Sequence, residues 1–168
     1  MSFEPLLAVG LPDFQFRAAT NSDAGAVSAL IASVLHEYGL EADPGGTDAD
    51  LADLEGSYLQ SGGWFQVLTD GRGRIVGTVG LRAIDPGTVE LRKMYLHASV
   101  RNRGLGRFLL AQAIDQARAR GFRRVILETA TVLQEAVRLY ERHGFRRVPE
   151  SPHACRCDLV MELNLTRG

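Results

Sequence analysis

Residues 101–106 read Arg-Asn-Arg-Gly-Leu-Gly, and they join a strand-like run, Thr88–Leu96, to a segment in which Leu109, Leu110, Ala113, Ile114 and Ala117 form one helical stripe. A glycine-rich turn that opens a helix aims unpaired backbone N–H groups and the positive dipole end at one point, which is an anion site. Arg101, Arg103 and Arg107 either add charge to it or stand as ordinary exposed arginines. A Walker loop needs Gly-Lys-Ser/Thr, which is absent here. A dinucleotide fingerprint needs a third glycine, and Leu109 occupies that place. A different phosphate ligand is implied.

Proton-transfer groups lie on the neighbouring elements. Glu90, on the strand before the loop, can take a proton from an ammonium if burial or a bridging water raises its basicity; otherwise it pairs with Arg92 or Arg82. Glu128, on the run Val125–Thr129, is the second candidate. Tyr140 stands just before His143-Gly144-Phe145 and either donates a proton or packs with Ala136 and Val137. His153, Cys155 and Cys157 alternate, so a strand would carry all three on one face. Three ligands on one short strand do not close a metal site, and no metal is expected.

Elements that position these residues can be read from periodicity and turn residues. Phe14–Ala19 predicts a strand, and Val27, Leu30, Ile31, Val34 and Leu35 a helix ending near Gly39. Leu51, Leu54, Tyr58 and Leu59 predict a second helix. Trp64–Leu68 and Arg74–Leu81 predict a hairpin, Asp85-Pro86-Gly87 a turn, 105–120 a helix, and Val125–Thr129 a strand. Val132–His143 predicts a helix, followed by strands at Phe145–Val148 and Asp158–Leu165. The order is β-α-α-β-β-β-α-β-α-β-β, a mixed sheet with helices on both faces.

Composition narrows the class. The 168 residues are 45% apolar, which suits one domain over 1–168 with a core at about 14–165 behind an N-terminal extension, 1–13. A net charge of −1 gives no global pull toward nucleic acid or a membrane. No apolar run is long enough to span a bilayer, no basic leader opens the chain, and Cys155 and Cys157 make no disulfide framework. A cytoplasmic location is expected. Between Glu37 and Glu55 lie seven acids and no Lys or Arg. They would draw in a cationic acceptor, unless they are merely solvated faces. Lys93 is the only lysine, and its rarity reads as genome composition.

The pattern Arg-x-x-Gly-x-Gly after a strand, followed by helix, strand, helix and Gly144-Phe145, resembles the GCN5-related N-acetyltransferase (GNAT) superfamily. The resemblance spans about 14–165 and is most specific over 88–146. It implies an α/β (α+β) fold with a mixed sheet of six to seven strands flanked by about four helices. Acetyl-CoA would be the cosubstrate. Its pyrophosphate would lie on Arg101, Asn102, Arg103, Gly104, Leu105, Gly106 and Arg107, and its pantetheine arm and thioester carbonyl on the main chain of Met94, Tyr95 and Leu96. Glu90 would be the base, and Tyr140 the acid that reprotonates the CoA sulfur.

The implied activity is transfer of acetyl to a primary amine by direct attack in a ternary complex. The acceptor would be a small-molecule or peptide amine covered by residues 36–66, with no nucleic acid or membrane partner and a homodimer left open. The rival readings are a non-catalytic acyl-CoA-binding or sensing domain and a protein-partner module. The presence of both Glu90 and Tyr140 favours the enzyme.

Overall fold

Alternation along one strand shows how the sheet serves two cores. In β2 (Trp64–Thr69), Trp64 and Leu68 enter one apolar cluster, while Phe65 and Val67 enter another. The first cluster takes α2 (Leu105–Ala119) and α3 (Gln134–Arg142) through Leu105, Leu109, Ala113, Val137 and Tyr140. The second takes α1 (Ala24–Glu37) through Val27, Ile31 and Leu35, together with Leu51, Leu54 and Tyr58. Helices therefore cover both faces, as the apolar stripes predict.

The computed structural model describes residues 13–166, so the expected extension 1–13 lies outside the described residues except for Asp13. The remaining strands are β1 (Gln15–Ala18), β3 (Ile75–Asp85), β4 (Thr88–Leu96), β5 (Arg124–Thr129), β6 (Arg146–Val148) and β7 (Leu159–Asn164). All seven form one sheet in the order β1-β2-β3-β4-β5-β7-β6. Every neighbouring pair is antiparallel except β4 and β5, which α2 connects as a parallel crossover.

Two segments depart from the sequence reading. The helix expected over Leu51–Leu59 is interrupted, with a 3-10 turn over Ala49–Ala52 and a π-helical turn over Glu55–Leu59. Asp53 breaks it by accepting from Gly56 N at 2.9 Å and from Asn21 Nδ2 at 3.0 Å, so side-chain caps displace the helical ladder. His153, Cys155 and Cys157 lie on a loop between β6 and β7 rather than on a strand. Glu128 accepts from the main-chain N–H of both His153 and Ala154 at 2.9 Å, which bends the chain around its carboxylate. No group of three metal-ligating side chains forms among the described residues.

One irregularity positions everything that follows. The parallel pairing of β4 with β5 covers only Thr88–Glu90 against Arg124–Ile126. Beyond it β4 stays with β3 as far as Leu96, and β5 stays with β7 as far as Thr129. The two central strands diverge, and a cleft opens between them.

Candidate active site

The cleft encloses about 470 Å³ and runs from the start of α2 to Glu90. Leu96 and Glu90 bound that stretch of β4, and six residues of strand span about 20 Å. From Leu91 on, the edge of β4 that faced β5 has no strand partner. Apart from Leu96 O, which accepts from Arg101, its main-chain donors and acceptors can pair with an extended ligand. Met94, Tyr95 and Leu96 all line this edge.

At one end is the glycine loop. Asn102 and Gly104 both adopt left-handed backbone, with φ of 64° and 80°. The first helical bond of α2 runs from Phe108 N to Gly104 O at 3.0 Å. The N–H groups of Leu105, Gly106 and Arg107 therefore have no partner within the helix and point out of its start. A Cβ on Gly106 would lie 3.4 Å from Leu139 Cδ2 and 3.7 Å from Leu96 Cδ1, so any longer side chain there fills the cleft. Arg103 and Arg107 are exposed. Arg101 is spent on other partners: it donates to Leu96 O at 2.9 and 3.1 Å and forms a two-pronged pair with Glu37.

The middle of the cleft contains a bulge in β4. Thr78 pairs with Tyr95 and Gly80 with Arg92, so Lys93 and Met94 together oppose Val79 alone. Lys93 takes φ of 56°, left-handed for a residue with a side chain, and Thr78 Oγ1 donates to its carbonyl at 2.7 Å. The strain, about 1–3 kcal/mol, has a structural result. In a regular strand Lys93 would alternate into the apolar cluster under α2. The bulge instead sends consecutive residues, Arg92 and Lys93, to the face of α1.

An ion cluster forms on that face. The Lys93 ammonium is buried; it bonds the Asp48 carboxylate and Thr47 O, and lies 3.5 Å from Asp50 Oδ1. Arg156, from the β6–β7 loop, grips Asp48 with both terminal nitrogens at 2.7 and 2.8 Å. Arg92 donates to Asp50 at 3.2 Å, Glu90 at 3.1 Å and Thr47 O at 2.8 Å, and Tyr58 Oη donates to Asp50. Burial pushes the Asp48 pKa up, but hydrogen bonds from Arg156, Asp43 N and Lys93 outweigh it and hold the carboxyl well below its usual range. Burial drives Lys93 down, against the attraction of Asp50 and Asp48.

This cluster divides the acidic stretch. Asp48 and Asp50 pair with buried cations and Glu37 with Arg101, while Asp53 and Glu55 accept from the neutral Asn21 and Glu41 and Asp43 are exposed. Lys93, read from the chain as compositional, lines the cleft. One signal marked it: the charged pair Arg92-Lys93 breaks the polar–apolar alternation of an otherwise regular strand, as a bulge does.

The proton-transfer candidates separate by environment. Glu90 is 8% exposed and lines the cleft, with Oε1 held by Arg92. Glu128 also lines it, but burial is outweighed by Ala154 N, the His153 ring and His153 N, so its pKa is lowered. Tyr140 lines the cleft wall from α3, 5.7 Å from the Phe145 ring. Burial, with Tyr95 and Cys157 nearby, pushes its phenol well above the usual value. Cys157 lines the cleft too, and burial raises its thiol to about 11.

The comparisons agree with this geometry. The sequence model of the "Acetyltransferase (GNAT) family" matches residues 31–145. A protein of Escherichia coli named "Uncharacterized N-acetyltransferase YjgM" is 39% identical over 137 residues, covering 79% of this chain and 81% of that protein. An acetyltransferase of the GNAT family from Staphylococcus aureus shares the fold with a TM-score of 0.86 at 25% identity, covering 91% of this chain and 99% of the other. The yncA protein of Salmonella typhimurium, solved with its cofactor acetyl-CoA, shares the fold with a TM-score of 0.72 at 23% identity, covering 93% and 96%. With a glycine loop at one end of a split sheet, and the family matched over most of its length, the chain belongs to the acetyltransferase (GNAT) family and is an acyltransferase.

Proposed function

We propose that the protein moves an acetyl group from acetyl-CoA to a primary amine by direct attack within a ternary complex. The observation that carries this reading is the continuous cleft that links the open N-terminus of α2 to Glu90 through the unpaired edge of β4. The pyrophosphate lies on the N–H groups of 104–107, with Arg103 and Arg107 adding charge and Asn102 completing the turn. Arg101 fixes the loop against Leu96 O rather than reaching the phosphate. The pantetheine arm pairs with Met94, Tyr95 and Leu96 along the free edge. A main-chain N–H of the bulge polarises the thioester carbonyl where negative charge develops.

Proton balance assigns the remaining groups. An amine of pKa ~10 arrives as an ammonium and must lose a proton before it attacks. Glu90 takes that proton. The C–N bond forms, the C–S bond breaks, and the second amine proton leaves as the amide is made. Tyr140, kept protonated by burial, donates to the departing thiolate and is recharged from that second proton. Glu128, held low by its three donors, shapes the rim instead. Cys157, a neutral thiol at about 11, is a poor nucleophile, which favours direct attack over an acetyl-enzyme. A cytoplasmic setting belongs to the same proposal.

Titration with acetyl-CoA, followed by CoA-thiol release with a panel of amines, tests this reading. A rise in Tm with cofactor and release dependent on an amine are expected. Binding without release under any amine would return the protein to an acyl-CoA-sensing role.

A further inference from the structure

The acceptor end of the cleft carries opposite charges side by side. Glu90 and Arg92 are two residues apart on β4, on one face, and their side chains meet at 3.1 Å through Glu90 Oε1 and Arg92 Nη1. That contact leaves Glu90 Oε2 available. A guanidinium has five N–H donors, and Arg92 uses three of them, on Asp50, Glu90 and Thr47 O. Two remain. Both residues line the cleft, whereas Asp48 and Asp50 stand behind it. An incoming molecule therefore meets a carboxylate oxygen next to unfilled guanidinium donors.

The surrounding charge is balanced. Asp48, Asp50 and Glu90 face Lys93, Arg92 and Arg156, three of each sign and every member paired, and Glu128 at the rim is paired with His153, whose pKa it raises. Three of these side chains are nearly inaccessible: Lys93 and Asp48 are each 3% exposed and Asp50 is 6%. An acceptor with net charge would unbalance a poorly solvated cluster, and an isolated charge there is costly. An acceptor with an ammonium beside a carboxylate adds no net charge and can meet both free edges.

On the reading of acetyl transfer given above, we infer that the acceptor is a free α-amino acid: its ammonium is received by Glu90 Oε2 and its carboxylate by the open donors of Arg92. The fork geometry of Arg suits a carboxylate. The two acceptor groups sit on one carbon, as the two site groups sit on one strand face. A peptide N-terminus, a lysyl side chain and a polyamine each present the ammonium without the adjacent anion. They leave the Arg92 donors unmet while adding charge. The inference replaces the cationic acceptor that the seven acids suggest in the sequence.

The test uses the intact protein after acetyl-CoA binding has been established by titration. CoA release is measured for the twenty standard L-amino acids. For the best of them, the carboxamide and the decarboxylated amine are then compared at the same pH. At least about a tenfold advantage in kcat/KM for the amino acid over both analogues is expected, since each analogue forfeits a charge-assisted bond. Arg92→Gln should raise the amino acid KM and narrow that ratio, with acetyl-CoA affinity within about twofold of wild type. The wild-type ratio decides the matter even if this variant folds poorly. An amide or amine that reacts as well as its amino acid overturns the inference. So does a protein that binds acetyl-CoA and acetylates none of the twenty. Failure to bind acetyl-CoA at all would count instead against the acetyl-transfer reading.

Discussion

The two ends of the cleft are built in opposite ways. The end proposed for the cofactor comes from one continuous stretch, 101–107, whose conformation is set locally by Asn102, Gly104 and the first turn of α2. The end proposed for the acceptor is assembled from 47–50, 90–93, 128 and 153–156, and is held by pairs such as Arg156 with Asp48, 108 residues apart. One end is built mainly of main-chain N–H groups. The other is an electrostatic network in which each member depends on the rest.

The sharpest way to break the local end is Gly106→Glu. It places bulk and a negative charge beside the unpaired main-chain N–H groups at the start of α2. The Cβ itself fits at 3.4 Å from Leu139, so the fold should survive. Acetyl-CoA affinity should fall at least about a hundredfold, roughly 2.7 kcal/mol, with Tm in the absence of ligand changed little. Calorimetric titration and a melting curve check it together. Unchanged affinity in a folded variant would move the phosphate site away from this loop.

Lys93→Gln attacks the assembled end and should show the contrasting signature. It leaves Asp48 and Asp50 buried with fewer cations, a loss of about 3 kcal/mol, near the lower end for a broken buried pair because Arg156 remains on Asp48. A Tm drop of roughly 6–12 °C follows for a chain of this size. Turnover should fall as the bulge loses its tether, while acetyl-CoA affinity changes less than in Gly106→Glu. The cluster also sets an acid limit. The Asp48 pKa is lowered on folding, so its stabilisation is complete above the unfolded carboxylate value near ~4 and is lost as pH falls below it. Wild type should therefore lose more stability than Asp48→Asn as pH is taken below about 4, as read by denaturant melts.

The same contrast explains what the chain disclosed. The element order outside 51–59, helices on both faces and the turn before α2 follow from periods of 2 and 3.6 and from glycine placement, all of them local signals. The loop 101–107 is contiguous, so a turn opening a helix could be read from its residues, though not the pairing of Arg101 with Glu37. The acceptor end could not be read so. Which of the seven acids meets a cation depends on a register shift in β4 and on a loop that arrives from residue 156. Asp53 and Asp48 look alike in the chain, yet one caps an exposed turn and the other lies beneath the cleft. Only the broken alternation at Arg92-Lys93 carried a trace of the cluster.

The smallest effect is expected midway between the two ends, at Tyr140. The residue lines the cleft wall, and its ring packs beside Phe145 in the core under α3. Tyr140→Phe keeps that ring, so Tm should change by no more than about 2 °C and neither substrate affinity should move much. What is lost is one proton donor. Burial places the phenol pKa above that of the thiol it would serve, so the donor is mismatched and water can replace part of its contribution. Turnover should fall by about tenfold, with little change in either KM, and the loss should be greater with acetyl-CoA than with a thioester whose leaving thiol is more acidic. A Phe variant with full turnover on both thioesters would reduce Tyr140 to packing. A loss equal on both would mean that the hydroxyl positions the cofactor rather than protonating its sulfur.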